Sequence, residues 1–95
     1  MASRTISGTL SCSFANIATN TTTVVKSGSG HLHSIVVNTT AAGAITVYNN
    51  TAGSGTKIAT MKASIVEGTY LFDLEFTTGL TIVTAAASDI TVTFV

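Results

Sequence analysis

The chain has 95 residues and a mass of 9.6 kDa, enough for one small domain. Four basic and four acidic residues cancel, and charged residues are 8% of the chain, against about 25% in an ordinary soluble domain. That balance excludes an electrostatic nucleic-acid binder. The single cysteine excludes an internal disulfide framework, and no apolar run reaches the ~18 residues of a membrane-spanning helix.

Threonine occurs 19 times. Thr, Val and Ile are stiff at χ1 and favour the pleated strand, so the composition asks for an all-β domain. The first residues, Met1-Ala2-Ser3-Arg4, lead into Thr5 and Ile6 with no continuous apolar stretch, which predicts no secretion signal. Residues 5–14 then alternate strictly. Ile6, Gly8, Leu10, Cys12 and Phe14 take one face, and Thr5, Ser7, Thr9, Ser11 and Ser13 the other, which predicts a half-buried strand. Residues 1–20 are therefore read either as the first strand of a single domain spanning 1–95 or as an extended arm that reaches a neighbour. In the arm reading Arg4, Ile6, Leu10 and Phe14 are assembly contacts.

After a connection at 16–20, strands are predicted at 22–26, 32–38, 44–49 and 57–61, separated by small-residue turns such as Ser27-Gly28-Ser29-Gly30. Ile35-Val36-Val37 is apolar on both faces and marks a central strand. In 69–76, Tyr70, Phe72, Leu74 and Phe76 face one way and Asp73 and Glu75 the other. Segments 79–84 and 89–95 close the chain. Seven or eight short strands at this spacing predict an antiparallel β-sandwich of jelly-roll type. The expected core is Ile6, Leu10, Phe14, Leu32, Ile35, Val37, Ile45, Val47, Ile58, Tyr70, Phe72, Leu74, Phe76, Leu80, Ile82, Ile90, Val92 and Phe94.

Three groupings bear on chemistry. His31 and His33 share a strand face and can supply two metal ligands, but no third ligand is visible near them in sequence. Asp73 and Glu75 have the spacing of a carboxylate pair, yet no cleft is indicated; two acids on an outward strand face ordinarily just solvate it, and they can also pair with Lys57 or Lys62 across a sheet. Gly53-Ser54-Gly55-Thr56-Lys57 lacks the spacing of a phosphate loop. No catalytic residue, metal ligand set or cofactor is assigned, and the chain is read as a non-enzyme.

From Thr23 onward the chain reads T-V-V-K-S-G-S-G-H-L-H-S-I-V-V-N-T, then G-A-I-T-V-Y-N-N, S-G-T-K-I-A-T, F-T-T-G-L-T-I-V-T and D-I-T-V-T-F-V. This order resembles small all-β structural proteins of tailed bacteriophages. The resemblance covers about residues 23–95 and carries no catalytic residues. It implies a capsid decoration, or cement, protein of jelly-roll-like fold, often trimeric. Such a protein binds the major capsid protein and itself on the outer surface of the virion after synthesis in the bacterial cytoplasm, with neither nucleic acid nor membrane as partner. The alternative it implies is a head-fibre or tail-associated adhesin domain that binds host-surface glycans.

Overall fold

The described chain is a succession of strands joined by short turns. The structure, a computed structural model, describes residues 11–95. In chain order the strands are β1 (Ser13–Ile17), β2 (Thr22–Ser27), β3 (Gly30–Thr39), β4 (Ile45–Asn49), β5 (Thr56–Met61), β6 (Gly68–Phe76), β7 (Gly79–Thr84) and β8 (Asp89–Phe94). The bounds of β2 to β8 fall within two residues of those expected.

The strands form two four-stranded antiparallel sheets, one in the order β1-β8-β3-β6 and the other β2-β7-β4-β5. The pairings β1 with β8, β2 with β7, β3 with β6 and β4 with β5 are those of one long hairpin. Its successive rungs alternate between the two sheets. Two lateral pairings, β3 with β8 and β4 with β7, join the rungs within each sheet. This winding is a jelly roll, and the fold is the eight-stranded β-sandwich expected from the alternation.

The two inner faces meet in a core of Ile17, Leu32, Ile35, Val37, Ile45, Val47, Met61, Phe76, Leu80, Ile82, Ile90 and Val92. Burial of each such side chain contributes roughly 1.5–3 kcal/mol. β3 is central, as its doubly apolar run implied. Ile58, Tyr70, Phe72, Leu74 and Phe94 pack against the core but stay half-buried. For Tyr70, Phe72 and Leu74 the reason is position: β6 is an edge strand, so one flank of its inner face is open to water.

β1 departs from the expected reading. The strand begins at Ser13 and includes Asn16 and Ile17, where the sequence predicts a connection. Ile17 pairs with Ile90 and enters the core, 4% exposed. Phe14 pairs with Thr93 and stands on the outside, 73% exposed. Phe14 is therefore not a core residue. Its face is set by the register with β8, and in a two-period strand a residue three positions from Ile17 must point the other way. Ile6 and Leu10, the other expected core members of this segment, lie outside the described residues.

The outer faces of the two sheets differ. Over β7 the connection between β4 and β5 folds back on its own sheet. The Thr81 hydroxyl donates to the Asn50 carbonyl at 2.7 Å, and Thr81 is fully buried. Gly53 lies so close to Val83 and Thr22 that a Cβ there would meet them at 2.9 and 3.1 Å. The outer face of the β1-β8-β3-β6 sheet has no such covering loop among the described residues.

Candidate functional site

Two features occupy that uncovered face. The first is a row running straight across the sheet. Phe14 on β1 pairs with Thr93 on β8, Thr93 with Ser34 on β3, and Ser34 with Leu71 on β6. The centre is polar but satisfied, since the Ser34 and Thr93 hydroxyls hydrogen-bond at 2.6 Å. The two ends are apolar, with Phe14 73% and Leu71 68% exposed. The next row is Asn16, Thr91, Val36 and Thr69, so no charge interrupts either one. The two rows form a strip about three strand spacings wide, roughly 14 Å, with a hydrophobic side chain at each margin of the first and the Asp89 carboxylate, bonded to Asn16 at 2.7 Å, at the border of the second.

The second feature sits further along β3 and β6. Leu32 and Ile35 are both fully buried although three residues apart, so the strand must slip phase between them. The slip is the irregularity in the β3 pairings between Leu32 and Ser34. It keeps His33 on the outer face together with His31. Opposite, Asp73 adopts φ 46°, a left-handed backbone that Asp tolerates better than most residues. Its carboxylate turns back onto both rings. His33 Nδ1 lies 2.6 Å and His31 Nε2 3.4 Å from Asp73 Oδ1. For both contacts to be hydrogen bonds, His33 must donate from Nδ1 and His31 from Nε2, so in their neutral forms the rings are opposite tautomers. The hydrogen bond from His33, and after it that from His31, holds the Asp73 carboxyl below its ordinary value of 3.8. The side chains of His31, His33 and Asp73 are 32%, 38% and 55% exposed, so the cluster is open to solvent.

The acids are thus arranged differently from the sequence reading. Asp73 is engaged by the two histidines, and Lys57 belongs to β5 in the other sheet, with Lys62 just beyond that strand's end. Glu75 pairs in register with His31, and both border a groove of about 360 Å³ that is also lined by Lys26, Gly30, Phe76 and Val95. The His-x-His pair was visible in the sequence, but its partner was not. Asp73 is 40 residues from His33, and only the β3–β6 register brings them together.

Of the four residues named as assembly contacts, Phe14 is on the uncovered face, while Arg4, Ile6 and Leu10 lie outside the described residues. Comparison with family models, with curated proteins and with solved structures finds no match to the chain.

Proposed function

We propose that the chain is a structural protein of a tailed-bacteriophage virion that decorates the capsid and stabilises it by bridging capsid subunits. The observation that carries the reading is an uncharged strip of the outer face of the β1-β8-β3-β6 sheet, uncovered among the described residues, with Phe14 and Leu71 exposed at its two margins. Cores of protein interfaces are depleted in charge and enriched in aromatic residues, and large exposed apolar side chains at the rim of a flat face fit such a contact. The strand-and-turn likeness to phage structural proteins supplies the partner, the major capsid protein. A repeated modest contact of this kind reaches high total strength when many copies engage one shell. Self-association into a trimer is part of the same reading. Low charge and small size support oligomerisation, a common source of added stability for such a domain, and the number three is what the resemblance implies.

The test uses shells of the encoding phage stripped of this protein. The wild-type chain is expected to co-sediment with them to saturation, and the variant Phe14→Asp, Leu71→Asp is expected to fold but stay in the supernatant. Sedimentation of the free protein reads its oligomeric state. Equal binding by the doubly charged variant, or no binding by the wild type, overturns the proposal. Binding to host cells and not to shells would select the adhesin alternative.

A further inference from the structure

We propose that His31, His33 and Asp73 form a surface site for one divalent transition-metal cation of the zinc class, an inference independent of the virion reading. The donor atoms, one nitrogen from each imidazole and one carboxylate oxygen, all lie within 4.8 Å of one another. Two imidazoles and one carboxylate suit Zn²⁺, Ni²⁺ or Cu²⁺. Mg²⁺ and Ca²⁺ take oxygen ligands, and soft cations prefer thiolate.

The spacing can be compared with what a metal requires. Zinc–nitrogen and zinc–oxygen bonds of about 2.0–2.2 Å in a tetrahedron place neighbouring donors roughly 3.4 Å apart. His31 Nε2 and Asp73 Oδ1 are already at 3.4 Å. His33 Nδ1, at 2.6 Å from the same oxygen, must open by about 0.8 Å. That is a small side-chain rotation on an exposed surface. The nitrogens that now face Asp73 are the ones that take the metal. Each neutral ring moves its proton through solvent to its other nitrogen, His33 to Nε2 and His31 to Nδ1, so that the nitrogen facing Asp73 presents its lone pair to the ion.

Charge favours the same occupant. Asp73 and Glu75 are two of the four acidic residues in the chain, and both lie beside these histidines. Among the described residues that line the groove, Lys26 is the one lysine or arginine. Three protein ligands leave at least one coordination position facing solvent, so water completes the shell.

The experiment titrates Zn²⁺ into the untagged full-length chain by calorimetry, with Co²⁺ absorption as a report on coordination geometry. One ion per chain is expected, and His31→Gln, His33→Gln and Asp73→Asn are each expected to weaken binding by at least about tenfold. Imidazole nitrogen resonances of the wild-type chain give a readout that needs no variant. Zn²⁺ should shift His33 Nδ1 and His31 Nε2 most. Absence of saturable one-to-one uptake, wild-type affinity in Asp73→Asn, or unshifted imidazole nitrogens would overturn the site.

Discussion

Gly30→Ala is a sharp test of the packing where β3 begins. Gly30 has an ordinary backbone conformation, so nothing in its φ demands glycine. On backbone entropy alone, alanine there should stabilise the fold by about 0.4–1 kcal/mol, because the unfolded chain loses freedom. Space decides against it. A Cβ at position 30 would lie 2.4 Å from the Val95 carbonyl oxygen, 2.7 Å from Phe76 Cζ and 3.0 Å from Lys26 Nζ, where ordinary contact starts at 3.4 Å. Lys26 can swing away. The Phe76 ring cannot easily do so, being 1% exposed. Nor can Val95, whose backbone N–H and C=O are both bonded to His31 at 2.8 and 3.0 Å. Relief of about 1 Å must come from the backbone, and overpacking of that kind costs roughly 1–3 kcal/mol. The midpoint of thermal unfolding should fall by about 4–8 °C for each kcal/mol in a domain of this size. Circular dichroism melts measure it. Combining the change with Phe76→Leu removes the ring contact alone, so the two effects should be less than additive. A Gly30→Ala protein that melts at or above the parent would refute the argument.

Three further outcomes follow from other parts of the fold. Ile17→Ala should cost about 2–5 kcal/mol while Phe14→Ala stays within about 0.5 kcal/mol, and denaturant titrations showing the reverse order would place β1 in the opposite register. Thr84 is buried, donates to the Thr19 carbonyl at 2.6 Å and accepts from the Thr21 N–H at 3.1 Å; Thr84→Val leaves these partners unpaired and should cost about 1–3 kcal/mol, read by the same titrations. Asp73 has its folded-state pKa lowered, chiefly by His33, so its contribution is present above its ordinary value of 3.8 and is lost as the pH falls through the lower, folded-state value. The gap in melting temperature between the wild type and Asp73→Asn should therefore be widest above that window and close in acid; a gap that widens on acidification contradicts the hydrogen-bonded arrangement.

Much of the architecture was legible because most strands from β2 to β8 carry an alternation or an apolar run of their own, and both are local properties. Leu32, Ile45, Leu80 and Ile90 could be assigned to the core from their neighbours alone. Phe14 could not. Its alternation with Cys12 was real, but which of two faces turns inward is decided by the pairing of Phe14 with Thr93. The half-burial of Phe72 and Leu74 was hidden for a related reason, since an edge position is a property of the sheet and not of the strand. The metal-competent cluster divides in the same way. His31 and His33 are neighbours in sequence. Asp73 joins them only through a bulged, long-range pairing and a left-handed residue, neither of which leaves a mark in composition.

The nested pairing of the strands also sets an order in time. β4 and β5 are joined by a loop of six residues, whereas β1 must find β8 across nearly the whole described chain. Closing a longer loop costs more entropy, and contacts distant in sequence slow the search. The cheapest route begins at the β4–β5 hairpin and adds rungs outward, with β1 the last to dock. β1 is also short and at an edge, held along one flank by β8. On that route the β8 edge is the last to be covered, and until β1 docks its unpaired backbone groups can accept the strand of another copy.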